Sequence, residues 1–226
     1  MTPSAQLVLA CVLFLATHAV SSTPIRGRLV AAAGEKGYLA LYSLVAFATL
    51  GWMIFGYYRA PYAVLWYFPA LRYVPLVIMP FALVLIVCGL LTRNPTAVGQ
   101  ERLLETGDAV RGILRVTRHP LMWGVALWAG AHVLARGDAA SALFFGTFLV
   151  LALFGTAMSD RRKARSLGER WQRFAACTSH VPFAAIVGGR SAFAPAEIGW
   201  VKPALGIALY IVLLLLHPAI FGARPY

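Results

Sequence analysis

The feature that most constrains this chain is its recurrence of long apolar stretches, at about residues 5–22, 38–58, 73–91, 120–136, 139–158 and 202–221. At ~1.5 Å rise per residue, helices of this length match a bilayer whose hydrocarbon layer is ~30 Å thick. With 60% hydrophobic and 12% charged residues, the chain cannot cover a water-facing surface in the usual way. These observations predict an all-α integral membrane protein, a six-transmembrane-helix bundle forming a single domain over residues 1–226.

Between the spans the chain changes character. The first run lacks the basic leader of a signal peptide and reads as a membrane helix. The linker from Arg59 to Arg72 carries Pro61, Tyr62, Trp66, Tyr67 and Pro69, as expected of a segment anchored at the headgroups. Residues 92–117 and 159–200 form two polar loops, the first with an amphipathic part over 100–116. Pro120 suits the first position of the fourth helix, where its missing N–H costs nothing.

Charge sets the orientation. The connections after the first, third and fifth spans hold sixteen of the 20 Lys and Arg; the other side holds Arg59, Arg72, Arg136 and Arg224. The positive-inside bias places the two polar loops in the cytoplasm and both termini outside. A net charge of +12 distributed over such loops describes topology and gives no basic face for nucleic acid. Cys11, Cys88 and Cys177 fall in no repeated spacing, so neither a disulfide framework nor a zinc-type site is expected.

Five histidines remain: His18, His119, His132, His180 and His217. His18, His132 and His217 lie within apolar spans, where an ionisable residue is costly and marks a function or a hydrogen bond across helices. Neutral imidazole is a common metal ligand and the usual axial ligand of haem iron. His119 and His132 are thirteen residues apart, ~20 Å along a helix and about 220° around it, so they face different environments. Small residues flank His132 at Ala129, Gly130 and Ala131, leaving room for a flat macrocycle or a neighbouring helix. Arg118 at the span boundary is suited either to a propionate or phosphate or to anchoring.

Short motifs run through the chain in order: G-E-K-G-Y at Gly34–Tyr38, R-V-T-R-H-P at Arg115–Pro120, A-H-V-L-A-R-G-D at Ala131–Asp138, D-R-R-K at Asp160–Lys163, T-S-H-V-P-F-A-A-I at Thr178–Ile186, and L-H-P at Leu216–Pro218. In these the sequence resembles the NnrU family of bacterial membrane proteins, related to 15-cis-zeta-carotene isomerase. The resemblance implies haem b with iron held by two histidines, at the positions of His18 and His132, and redox-gated cis–trans isomerisation of a polyene. His217 matches His132 in depth and is the alternative ligand, while Arg118 and His119 are expected at the cofactor's polar edge. The bacterial branch implies an accessory or electron-transfer role for nitrite or nitric oxide reductase, with a respiratory reductase as partner. Arg118–Gly124, R-H-P-L-M-W-G, also resembles the isoprenylcysteine carboxyl methyltransferases, which implies S-adenosylmethionine; that family's acidic residues are replaced here by Arg161, Arg162 and Lys163.

Overall fold

The computed structural model describes residues 1–106 and 109–225. Six long helices dominate: α1 (Pro3–Val20), α2 (Ile25–Arg59), α3 (Val74–Leu91), α5 (Pro120–Arg136), α6 (Ala139–Leu167) and α10 (Val201–Phe221). Four short helices, α4 (Ile113–Val116), α7 (Glu169–Ala176), α8 (Ala184–Val187) and α9 (Pro195–Ile198), belong to the polar connections. Among the described residues, α1, α2, α6, α10 and the stretch Pro69–Leu91 containing α3 are long and apolar enough to cross a membrane. By length and composition this is a multi-pass membrane protein. The expected fourth span forms with the expected bounds, but at 17 residues α5 is shorter than those five.

Two boundaries differ from the sequence expectation. The basic stretch before Tyr38 is helical, because Gly34 at φ +71° breaks α2 without ending it and lets Arg26 pair with Glu35 and lie over the Tyr38 ring. At the other end, α6 continues nine residues past Met158, since Asp160 and Lys163 find partners, Arg118 and Glu101, that keep the polar turns helical. The amphipathic part expected over 100–116 is a 3₁₀ turn at Glu101–Glu105 and the single turn α4, whose Ile113, Leu114 and Val116 are buried; residues 107 and 108 within it lie outside the described residues.

The long helices neighbour one another in the order α2, α1, α6, α5, α3, α10. In lipid there is little hydrophobic drive between helices, so close approach is set by small residues. Gly56 of α2 meets the backbone of Leu7, Gly206 of α10 meets that of Val84, and α3 and α5 cross on two glycines. There a Cβ on Gly89 would stand 2.5 Å from the Leu121 nitrogen, and one on Gly124 would stand 2.6 Å from the Ala82 oxygen. The linker before α3 docks on the α5–α6 turn: Leu65 and Trp66 donate to the Gly137 carbonyl, and Trp66 Nε1 donates to Leu134. Gly137 holds φ +63° under the Trp66 carbonyl, and Asp138 caps α6 through Ser141. Tyr62, Tyr67 and Phe68 stay exposed, as an interfacial anchor requires.

Candidate functional site

The histidines separate into two settings. In the first, each imidazole on an apolar helix is tied to a backbone carbonyl through Nδ1: His18 to Phe14 at 2.7 Å, His132 to Trp128 at 2.8 Å, and His217 to Ala223 at 2.7 Å. A carbonyl only accepts, so Nδ1 carries the hydrogen and a neutral ring keeps the lone pair on Nε2. For His18 and His132 the carbonyl is four residues back on the same helix, one that the helix's own backbone already uses; the ring is thus fixed without a partner from another element.

Aromatic rings connect His18 to His132. His18 lies 4.2 Å from Phe14, Phe14 lies 5.5 Å from Phe148, Phe148 lies 5.3 Å from Trp128, and Trp128 lies 5.7 Å from His132, all between ring centroids. Tyr42 of α2 meets the His18 ring edge-on, and Phe145 stacks on His132 at 28°. Cys11 meets Leu143 and Phe14 meets Phe148, so α1 and α6 ascend together, whereas α5 reaches α6 through a tight turn and runs the other way. Both histidines stand near the C-terminal ends of their antiparallel helices. Side chains lean toward the N-terminus of a helix, so the two rings incline toward one level, that of Phe148, from opposite directions. Beside His132, Ala129 and Ala131 are buried, while the Cα of Gly130 faces open space.

The second setting is polar and was not legible as a cluster. Arg118 and His119, at the start of α5, are brought to Asp160 of α6: Arg118 Nε donates to Oδ2 at 2.7 Å and His119 Nε2 bonds Oδ1 at 2.7 Å. They therefore lie at the opposite end of α5 from His132, ~20 Å away along the axis. His180 completes the group, its ring edge-on to His119 at 5.4 Å and its Nδ1 3.9 Å from Asp160. Its carbonyl accepts from Trp123 Nε1 at 2.7 Å and from Thr117 at 2.8 Å, which fixes the turn carrying it. Burial first, then the charges of His119 and Arg118, hold His180 below the ordinary imidazole range, against the pull of Asp160.

This corrects the expectation that no zinc-type donor set exists. His119, Asp160 and His180 each place a ligand atom within 4.8 Å of the other two. The only forewarning in the sequence was an acid, Asp160, standing among bases at the end of an apolar helix. Lys163, one turn on, is 1% exposed and held by Glu101 at 2.6 Å and the Pro95 carbonyl at 3.0 Å. The D-R-R-K run is thus partly interior, and it pins the 92–106 connection onto α6. A recess of about 270 Å³ opens near the other end of α5, lined by Tyr62, Trp66, Arg72 and Arg136 among others.

Comparison with known proteins agrees with the motifs. A family model described as NnrU protein matches residues 6–225. A protein named 15-cis-zeta-carotene isomerase, chloroplastic, from Arabidopsis thaliana is 42% identical over 79 residues, which is 35% of this chain and 22% of that protein. The protein of the same name from Zea mays is 39% identical over 79 residues, with the same shares. The chain thus aligns with 22% of the length of each of these curated relatives. No solved structure matches.

Proposed function

The chain belongs to the NnrU family, and from that premise we propose that it is a membrane-embedded cis–trans isomerase of a polyene, binding haem b through His132 and His18. The observation that carries this is the state of the two rings: each has its Nδ1 hydrogen committed to its own helix and its Nε2 lone pair uncommitted. That is the arrangement a metal-ligating histidine needs, because the bond at the other nitrogen fixes the tautomer and raises ligand basicity. The donor set fits the group: two neutral imidazoles on antiparallel helices with aromatic rings as walls. Haem held by His132 and His18 would supply an Fe(III)/Fe(II) couple for redox-gated isomerisation of a conjugated double bond.

The chain's own part is positioning. Phe145 and Trp128 hold the plane of His132, and Phe14 and Tyr42 hold that of His18. The row Phe14, Phe148, Trp128 keeps the space dry and offers flat apolar surface to a long conjugated chain entering sideways from the bilayer. Arg136 stands one turn beyond His132 on the same side of α5 and shares its recess with Arg72, so positive charge is available for carboxylates at that edge. With the sixteen-to-four distribution of Lys and Arg, a six-span path puts the Asp160 end in the cytoplasm and the Arg136 end outside. His217 is the alternative partner for His132.

Detergent-purified protein reconstituted with haem b is expected to show a Soret band that shifts on reduction, and the reduced form to isomerise 15-cis-zeta-carotene. A protein that takes up no haem, or one that isomerises equally well without it, would overturn the proposal.

A further inference from the structure

His180 Nδ1 is enclosed by protein and has no hydrogen-bond partner. Its neighbours settle which kind of orphan it is. The Thr156 hydroxyl lies 2.7 Å from the Ala152 carbonyl and 3.0 Å from that of Leu153, and 3.5 Å from His180 Nε2. The hydroxyl has one hydrogen, and the short contact to a carbonyl takes it; toward His180 it can then only accept. Nε2 therefore carries the ring's hydrogen, and Nδ1 presents a bare lone pair to the interior. A buried acceptor with nothing to accept from calls for an explanation.

What lies beside that lone pair is a second imidazole and a carboxylate. The three donors come from different elements: His119 caps α5, Asp160 projects from α6, and His180 sits on the turn after α7. The ligand atoms lie within 4.8 Å of one another. A tetrahedral ion with bonds of ~2.1 Å needs donors ~3.4 Å apart, so a modest contraction of the cluster closes the site. Arg118 bonds Oδ2 and leaves Oδ1, now shared with His119, as the oxygen an ion would take. Coordination through His119 Nε2 would displace the hydrogen that this nitrogen donates to Asp160, which passes to Nδ1 of a neutral ring or leaves to solvent from a charged one.

We propose that His119, Asp160 and His180 form a second metal site, binding one divalent first-row transition-metal ion at the end of α5 remote from His132. Two imidazoles with one carboxylate select such an ion over magnesium or calcium, which prefer all-oxygen shells. Three protein ligands leave one position open for water or an anion, and Arg118, already on the carboxylate, makes an anion the favoured occupant.

The test uses full-length, tag-free protein in detergent, stripped with chelator and titrated with Zn²⁺ by calorimetry, with Co²⁺ as a spectroscopic probe. One equivalent per chain is expected, with a tetrahedral Co²⁺ visible spectrum. His180→Ala removes one ligand at a partly exposed turn and is expected to weaken binding at least ~10-fold, with unchanged thermal unfolding of the stripped protein. The His18→Ala/His132→Ala variant is expected to bind Zn²⁺ as the unsubstituted protein does, which separates this site from the haem proposal. Absence of stoichiometric binding, or equal affinity in His180→Ala, would overturn it.

Discussion

The two ends of α5 treat histidine in opposite ways. At the His132 end, as at His18, the imidazole is held by its own helix and packs against aromatic rings, and among the described residues its second nitrogen has no hydrogen-bond partner. At the His119 end the imidazole spends Nε2 on a carboxylate that is itself bonded to an arginine. The same side chain is thus left open at the apolar end of α5 and closed into a charge network at the polar one. The neighbours explain the difference: among aromatic rings an isolated charge is costly, so that end keeps neutral donors, while at the other Arg118 beside Asp160 supports its ionised form.

The contrast can be broken most completely at the crossing that holds α5 in place. Gly124→Ala puts a methyl 2.6 Å from the Ala82 carbonyl, which no rotamer relieves, so α3 and α5 must separate. Both haem uptake and Zn²⁺ binding are expected to fall, with thermal unfolding in detergent lowered; wild-type values in all three would mean that the crossing does not position the sites. Next in size is His132→Ala, expected to abolish the Soret band of reconstituted protein. His18→Ala is expected to convert two-histidine ligation to a weaker single-histidine form, and His217→Ala to leave the spectrum unchanged. A reversal of those last two results would move the second ligand to α10.

A smaller effect sharpens the polar end. Glu101→Gln removes the negative charge opposite the Lys163 ammonium, 1% exposed, and leaves it a neutral amide oxygen and the Pro95 carbonyl. Because the carboxylate itself is one-third exposed, a loss of about 2 kcal/mol is expected, below the full cost of orphaning a buried charge. Burial pushes Glu101 up, but Lys163 pulls it net below the usual carboxylate range. A depressed carboxylate stabilises the fold above its unfolded value and loses that contribution as pH falls through the folded one. Acid unfolding of the 92–106 connection is therefore expected below about pH 4.5 and to be blunted in Glu101→Gln, by proteolysis of that connection across pH.

The smallest effect belongs to Glu197, which accepts from Arg115 at 2.8 and 2.9 Å and from the Gly112 amide at 2.8 Å. The guanidinium first, then the amide, hold this carboxylate at about 2. Its pairing contributes above the ordinary value near 4.5 and is lost only as pH falls toward 2. Gly112 amide exchange, corrected for intrinsic rates, is thus expected to stay slow at pH 3.5, where an unperturbed carboxylate would already have released it.

The comparison also shows why one half of the molecule was readable in advance. Hydropathy is a local property, and the apolar helices, the Pro120 start and the Gly137 turn follow from neighbouring residues. His18 and His132 could be singled out because a titratable residue in an apolar run is conspicuous. The Asp160 cluster could not: His119, Asp160 and His180 are dispersed among ordinary boundary charges, and only the return of the chain after α7 joins them. For the same reason Lys163 read as one of the basic charges that anchor a polar loop, and the helix before Gly34 as a short basic connection, whereas Glu101 and Glu35 partner Lys163 and Arg26.

The central claim is that His18 and His132 keep Nε2 open for iron. Absorbance spectra of haem-reconstituted protein, oxidised and reduced, should be recorded for the unsubstituted chain and for His18→Ala/His132→Ala. The account predicts a reducible two-histidine haem b spectrum that is lost in the double variant while Zn²⁺ binding persists. An unchanged Soret band in the double variant, or none in the unsubstituted chain, would contradict it.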